Sequence, residues 1–195
     1  MEKNPPRLII LEMSLPNKII LIGAGGHART VLDCLGNVAH GFCDDKTDVF
    51  SSLVKLEPES GSFAIISFGA VEPKGLARRQ KVFEEYKAKG VIFKSAIHAS
   101  AIVSGNALIG DGSMIGPGAI VNSGAVIGQN VIINSGAIIE HDVIIGDGSH
   151  VAPGAIVLGG AKIGKIAMIG AGAVILPSAE VDDGAMVRSM TRYPS

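Results

Sequence analysis

The chain has few charged residues and no excess of either sign. Charged side chains make up 18% of its 195 residues, with 17 Lys and Arg against 18 Asp and Glu and a formal net charge of -1. Proteins that bind nucleic acid or an anionic membrane surface through charge carry a basic excess, so we expect neither partner. Hydrophobic residues make up 47% of the chain, which favours a folded core over disorder.

Cysteine is also scarce. The two cysteines, Cys34 and Cys43, form no CxxC motif, and the N-terminus lacks the cationic, apolar and cleavage-site order of a signal peptide. Two cysteines and the lack of a signal peptide do not indicate a disulfide-rich secreted protein. We therefore expect free thiols and a cytoplasmic protein.

Charge is absent altogether from residues 112–139, a stretch that hydropathy alone would mark as a membrane span. Gly, Asn, Ser or Pro interrupts this stretch every few residues, at a period that a membrane helix does not need. We expect no membrane span here, because the period itself indicates a different structure.

From Ile97 to Met186 the sequence repeats every six residues, fifteen times without an insertion. The first residue of each unit is Ile or Val, and the fifth is Ala, Ser or Val. Six fits neither the helical period of 3.6 nor the strand period of 2. Three units can close a triangular coil, and five such coils would stack as parallel strands about 4.8 Å apart, with the first-position side chains inside. Gly or Asn at many second positions suits a corner with positive φ.

The segment before the repeat predicts a small parallel α/β unit. Residues 18–23 read as a strand, Gly23-Ala-Gly-Gly-His-Ala28 as a glycine turn, and residues 29–35 as a helix. Such a turn lets N–H groups at a helix start approach a phosphate or ribose. A second strand near 40–43 ends at Asp44 and Asp45, where an acid commonly binds a ribose hydroxyl or base edge.

A third strand is expected at 63–68 and a helix at 77–89. The unit from 18 to about 90 is too short for a whole dinucleotide domain, so half of a nucleotide site is expected.

Joined together, the GxGGHA turn and the hexapeptide repeat resemble the sialic acid O-acetyltransferase and bacillosamine-type N-acetyltransferase group of bacterial sugar acyltransferases. The resemblance implies a Rossmann-like half-domain at 17–94 that holds a nucleotide-linked sugar, and a left-handed parallel β-helix at 95–187. A flexible arm or extension at 1–16 and a tail at 188–195 complete the expected organisation. The resemblance also implies a homotrimer with acetyl-CoA between neighbouring subunits.

His141 is the candidate general base for acyl transfer. It lies outside the inward positions of the repeat, and the carboxylates Glu140 and Asp142 flank it. An imidazole with a pKa near 6.5 can take a proton at neutral pH, and one acid could orient the ring. The family resemblance assigns His141 as the base and Asp142 as the orienting acid.

The resemblance also assigns binding residues to both substrates. For acetyl-CoA it implies His150 near the thioester and the Gly159 amide, and cations in the last coils, Lys162, Lys165 and Arg188, would meet its phosphates. The segments similar to the family's sugar-nucleotide contacts contain Gly23, Gly25, Gly26, His27, Asp44, Asp45, Phe68 and Gly69, while Asn134 matches a family Asn of unassigned role. The chain departs from the family at its C-terminus, where the usual tail is replaced.

Histidines on a β-helix also raise the possibility of zinc, as in γ-class carbonic anhydrases. His98, His141 and His150 are separated by 43 and 9 residues, whereas ligands on this fold would fall near multiples of the eighteen-residue coil. We expect no metal.

The sequence thus predicts N-acetylation of a nucleotide-linked amino sugar, of the 4-amino-4,6-dideoxy type, from acetyl-CoA for bacterial surface glycan synthesis. Two alternatives stay open: O-acetylation of a sialic-acid-type sugar, which shares every motif above, and a non-catalytic trimeric scaffold.

Overall fold

A computed structural model describes residues 19–36, 38–44 and 53–194. The expected arm at 1–16 and Asp45 lie outside the described residues.

The first domain is a five-stranded parallel sheet with two helices. Its elements are β1 (Ile19–Ile22), α1 (Gly26–Cys34), β2 (Gly41–Cys43), β3 (Val54–Lys55), β4 (Phe63–Ile66), α2 (Pro73–Ala88) and β5 (Ile92–Phe93). The strand order is β3-β2-β1-β4-β5. All four residues of β1 are buried, because β1 is the central strand and is covered on both faces.

Helix α2 begins four residues before the sequence predicts. Pro73 occupies its first turn, where the missing N–H of proline costs no helical hydrogen bond. The two-residue strands β3 and β5 were not expected, because strands that short carry no readable alternation.

The second domain is the expected left-handed parallel β-helix, and its strands form three faces. Face 1 contains β6 (Ala96–Ile97), β9 (Met114–Ile115), β12 (Ile132–Ile133), β15 (His150–Val151), β18 (Met168–Ile169) and β21 (Met186–Val187). Face 2 contains β7 (Ile102–Val103), β10 (Ile120–Val121), β13 (Ile138–Ile139), β16 (Ile156–Val157), β19 (Val174–Ile175) and β22 (Arg192–Tyr193). Face 3 contains β8 (Leu108–Ile109), β11 (Val126–Ile127), β14 (Ile144–Ile145), β17 (Lys162–Ile163) and β20 (Glu180–Val181).

The interior is built as the repeat predicts. From Ile115 onward every first-position Ile or Val is buried and joins one continuous core with the small fifth-position alanines. These side chains stack in register because each strand pairs with the strand eighteen residues further on.

The prediction that second-position residues take positive φ is wrong. The left-handed residues are at the fourth position, as at Gly112 (φ 72°) and Asn130 (φ 56°). Glycine occurs at the second position for a steric reason, because a Cβ at Gly110 or Gly164 would lie within 2.6 Å of backbone atoms in the next coil.

Strand pairing continues into the segment expected to be a tail. Arg192 and Tyr193 of β22 pair with Val174 and Ile175 of β19. Tyr193 packs against the end of the core, so the six-residue spacing persists beyond Met186.

The first domain covers face 1 of the β-helix. Ala96, Met114 and Ile132 on this face are buried with residues of α1, while Leu76 of α2 packs with Ala152 and Met168. The chain visits face 1, face 2 and face 3 in turn, so the corner between faces 2 and 3 lies on the side of the prism opposite the first domain. Within the described part of the chain, no helix is long and apolar enough to cross a membrane.

Candidate active site

His141 lies in the turn between β13 and β14, at the corner opposite the first domain. The following residue, Asp142, has a φ of 59°. The side chains are adjacent, with 2.9 Å between His141 Nδ1 and Asp142 Oδ2, and both are exposed to solvent. The turn therefore presents a histidine–carboxylate pair at the surface.

The Asp142 carboxylate fixes the chemistry of this ring. A carboxylate only accepts hydrogen bonds, so Nδ1 of His141 donates and Nε2 carries the free lone pair in the neutral ring. The hydrogen bond to Asp142 raises the pKa of His141, and the charges of Asp142 and Glu140 act in the same direction. Glu140 Oε2 lies 3.4 Å from the backbone nitrogen of His141 and accepts from it, not from the ring. Asp142 is therefore the acid that orients the ring.

Gly159 occupies the same corner one coil further on. A Cβ at Gly159 would lie only 2.6 Å from Nε2 of His141, so glycine leaves the space that the ring occupies. The N–H of Gly160 donates to the His141 carbonyl at 3.0 Å, which ties the two turns together. The sequence-predicted residues His141, Asp142 and Gly159 are thus brought together.

His150 is placed elsewhere, on face 1 under the first domain. It is 4% exposed, its Nδ1 donates to the Ala70 carbonyl at 2.7 Å, and its Nε2 accepts from Asn134 Nδ2 at 3.0 Å. Burial lowers the pKa of His150 to about 4, so the ring is neutral. Within one chain, His150 and Asn134 are separated from His141 by the prism.

The expected nucleotide segments converge at the carboxyl ends of β1, β2 and β4. The Ala24 N–H donates to Asp44 Oδ2 at 2.6 Å, and Ser67 Oγ donates to the Gly23 carbonyl at 2.5 Å. Gly23 has a φ of 107°, and a Cβ there would lie 2.9 Å from the Phe68 ring. This nucleotide edge, meaning residues 23–27, Asp44 and residues 67–69, is therefore a preformed unit.

His27 lies in this edge with its ring against Gly69, whose Cβ would be 3.1 Å from the ring. Its Nε2 is buried and has no hydrogen-bond partner among the described residues. Burial, with smaller contributions from Arg79 and His150, lowers the pKa of His27 to about 4.

At the start of α1, beside His27, a Cβ at Gly25 or Gly26 would meet nothing within 4 Å, and Gly25 caps the helix without a side-chain hydrogen bond. The start of α1 is open for a ligand to approach.

The two lysines expected to meet the cofactor have carboxylate partners in this chain. Lys162 Nζ lies 2.8 Å from Glu180 on face 3, and Lys165 Nζ lies 3.2 Å from Asp147 at the corner between faces 3 and 1. Lys162 lies on β17 and Lys165 lies in the turn after β17, so neither lysine is in the turn that holds His141. No group of three or more potential metal ligands occurs in residues 19–36, 38–44 and 53–194.

Sequence reasoning missed Arg79, which is 1% exposed. The signal was its spacing on α2, because Leu76, Arg79 and Phe83 follow the i, i+3, i+7 pattern of a buried helix face. The charge of an arginine conceals such a position in a hydropathy pattern.

Two protein families match parts of the chain. The PglD N-terminal domain matches residues 18–68, and the bacterial transferase hexapeptide (six repeats) matches residues 124–159. No curated protein matches the chain.

Solved structures match nearly the whole chain. The acetyltransferase domain of PglB from Neisseria gonorrhoeae is 28% identical with a TM-score of 0.81, over 91% of each chain. PerB from Caulobacter crescentus, solved with CoA and GDP-perosamine, is 26% identical with a TM-score of 0.81, over 90% of this chain and 87% of PerB. WeeI from Acinetobacter baumannii, at 22% identity and a TM-score of 0.68, shares the fold.

Both the family matches and these structures agree with the two-part organisation of the chain. The chain is an acetyltransferase built from a PglD-type N-terminal domain and a hexapeptide-repeat β-helix.

Proposed function

We propose that this acetyltransferase moves the acetyl group of acetyl-CoA to the amino group of a nucleotide-linked amino sugar, of the 4-amino-4,6-dideoxy type. One observation carries the proposal: His141 and Asp142 form an exposed, oriented pair beside Gly159, on a fold that PglB and PerB share over about nine-tenths of the chain. The PglB domain has also been solved with acetyl-CoA, and PerB with CoA and GDP-perosamine.

In the proposed reaction, Nε2 of His141 accepts a proton from the sugar amine as the amine nitrogen attacks the thioester carbonyl carbon. Asp142 stabilises the imidazolium that results, and the Gly159 N–H is a candidate donor to the oxyanion. Collapse of the tetrahedral intermediate breaks the carbon–sulfur bond and releases CoA, whose sulfur takes up the proton. Transfer is direct, because neither cysteine lies in the β-helix.

The nucleotide edge is proposed to hold the sugar nucleotide. The open start of α1 at Gly25 and Gly26 offers N–H groups to a phosphate. His27 belongs to the same edge, and its buried Nε2 has no hydrogen-bond partner among the described residues. Asp44 already accepts the Ala24 N–H, so it supports the turn as well as any ribose contact. The contribution of Asp45 stays a prediction.

We further propose a homotrimer whose sites lie between subunits. Leu108, Val126 and Ile144 form an exposed apolar ladder in register on face 3, and Ile102 on face 2 is 66% exposed. Exposed apolar patches of this kind mark protein interfaces. Because His141 lies on the side of the prism opposite the nucleotide edge, a complete site needs residues from two copies.

For acetyl-CoA, we propose Lys162, Lys165 and Arg188 as phosphate contacts and His150 as a contact near the thioester. Both lysines would exchange their carboxylate partners for phosphate, and His150 could meet the cofactor only from a second copy of the chain. A reducing, cytoplasmic location fits a reaction that uses acetyl-CoA and a nucleotide sugar.

The test is an acceptor panel with mass and NMR analysis of the product. Acetyl-CoA is incubated with the protein and with GDP-perosamine, a UDP-linked 4-amino-4,6-dideoxy sugar or free N-acetylneuraminic acid. An N-acetylated nucleotide sugar is expected. An O-acetylated sialic acid alone would identify the O-acetyltransferase, and no acetylated product would favour the scaffold.

A further inference from the structure

Arg79 is a buried cation whose hydrogen bonds within the described part of the chain all go to backbone carbonyls. The residue is 1% exposed, and it forms no ion pair within the described residues. Nε donates to the Phe68 carbonyl at 3.1 Å, Nη2 donates to the Ile66 carbonyl at 3.3 Å, and Nη1 donates to the Asn130 carbonyl. Burial lowers the pKa of Arg79 to about 9, which leaves it charged at neutral pH.

These three carbonyls belong to both domains. Ile66 ends β4 and Phe68 lies in the nucleotide edge, whereas Asn130 lies in a β-helix turn between β11 and β12. The left-handed conformation of Asn130, with φ 56°, is part of the turn that supplies its carbonyl to Arg79. Arg79 therefore connects one end of the nucleotide edge directly to the β-helix.

The same stretch of chain is held at a further carbonyl. Ala70 accepts a hydrogen bond from His150, again across the domain boundary. On its other side, the Ser67 N–H donates to the Ile22 carbonyl at the end of β1, and the Ser67 hydroxyl donates to the Gly23 carbonyl in the glycine turn. The segment 66–70 is thus fixed between the glycine turn and the β-helix, and Arg79 makes two of its attachments.

Geometry explains why this position holds arginine. The planar guanidinium has donors that point in several fixed directions and reach three separate acceptors, whereas a lysine ammonium is a compact charge on a flexible stem. A buried polar group that loses its partner carries a large penalty, so all three carbonyls depend on this one side chain.

We propose that Arg79 is a positioning residue for the sugar nucleotide: it sets the placement of Phe68 and Gly69 relative to the β-helix, and so the fit of the nucleotide edge to its ligand. This inference rests on the proposed function, since it assigns the nucleotide edge to a nucleoside diphosphate. Arg79 itself is too buried to touch the substrate.

The test compares the affinities of Arg79→Met, Arg79→Lys and the wild-type protein for UDP, GDP and CoA by titration calorimetry. Loss of three hydrogen bonds to a charged group predicts that Arg79→Met binds the preferred nucleoside diphosphate at least about tenfold more weakly. Affinity for CoA, proposed to bind on the β-helix, should stay within about twofold. KM for the sugar nucleotide should rise while KM for acetyl-CoA does not.

Arg78→Met is the matched control, because Arg78 is the exposed neighbour on α2 and should leave all affinities unchanged. If Arg79→Met does not fold, Arg79→Lys keeps the buried charge and should bind the nucleotide with intermediate affinity. A purely structural role predicts a lower melting temperature with nucleotide and CoA affinities unchanged or reduced together, and either result would overturn the inference. Failure of the wild type to bind UDP or GDP would instead contradict the proposed nucleotide site and this inference with it.

Discussion

The carboxylate of Asp142 determines which nitrogen of His141 is available as a base. By accepting a hydrogen bond from Nδ1, it leaves the Nε2 lone pair exposed, and by stabilising the imidazolium it raises the pKa of His141. A base must be unprotonated to act. The activity of the enzyme should therefore fall as the pH drops through this raised pKa, which lies above the ordinary histidine value of about 6.5.

Asp142→Asn tests whether this carboxylate raises the pKa of His141. In Asp142→Asn the side chain no longer carries the charge that favours the imidazolium, so the acidic limb of kcat/KM should move to lower pH. The rate on the plateau should fall by at least about tenfold, since the imidazolium formed in the reaction loses its partner. A pH profile of kcat/KM from initial rates measures both effects.

Glu140→Gln is the control for Asp142→Asn. Glu140 influences His141 by charge and does not bond its ring, so its removal should move the acidic limb less and leave the plateau near the wild-type rate. Identical profiles for Asp142→Asn and the wild type would contradict the assigned role of Asp142.

The turn after β16 leaves room for the ring of His141, the proposed base. Gly159→Ala would place a Cβ 2.6 Å from Nε2 of His141 and should turn the ring away from its present position. We expect kcat to fall by about tenfold or more, because misplacing a reacting group has a large effect on rate. Folding should be preserved, since the displaced ring is exposed.

Gly105→Ala is the matched control for this turn. Gly105 occupies the equivalent corner position three coils earlier, and a Cβ there would meet nothing within 4 Å. Initial rates and melting temperatures of both variants should separate the local contact from a general effect of alanine at this corner. Equal activity of the two variants would show that Gly159 does not control the ring.

The β-helix could be predicted from sequence because every coil places the same kinds of side chain at the same inward positions. The inward side chains of Ile115, Ile133 and Val151 stack in successive coils of one core, so the pattern of one unit is reinforced by every other. Composition could not show that positive φ occurs at the fourth position of each unit and not at the second. Glycine is common at the second position for another reason, because a Cβ there would clash with the backbone of the next coil.

Contacts between the domains were beyond sequence reasoning. His150 finds its partner Ala70 eighty residues away, and Arg79 finds Asn130 at a separation of 51. No local pattern encodes such pairs, since they exist only once the first domain is docked on face 1. His141, Asp142 and Gly159 were named in the sequence from the family resemblance, and their roles stay predictions. The repeat brings them to one corner, because residues 141 and 159 are one coil of eighteen residues apart.

In the whole molecule, the β-helix prism separates the two halves of the proposed site. The first domain covers face 1, and His141 lies at the opposite corner. A site that uses both therefore takes His141 from one subunit and the nucleotide edge from its neighbour, so two differently damaged chains should complement each other.

Subunit mixing tests this arrangement. His141→Ala lacks the base, and Gly69→Val places a side chain against His27, so each homotrimer should be inactive. Co-expressed in equal amounts, the two chains should assemble sites of which about a quarter combine an intact histidine with an intact nucleotide edge. The purified mixture should then recover about that fraction of wild-type activity. A mixture as inactive as its components, or a monomer in sedimentation, would contradict a site shared between subunits.

Thiol release from acetyl-CoA tests the proposed reaction and its base together, when it is measured for the wild type and His141→Ala with GDP-perosamine and a UDP-linked 4-amino-4,6-dideoxy sugar as acceptors. The account predicts acceptor-dependent release by the wild type and a loss of at least about a hundredfold in the variant. Equal rates in the two proteins, or no release by the wild type with either sugar, would contradict it.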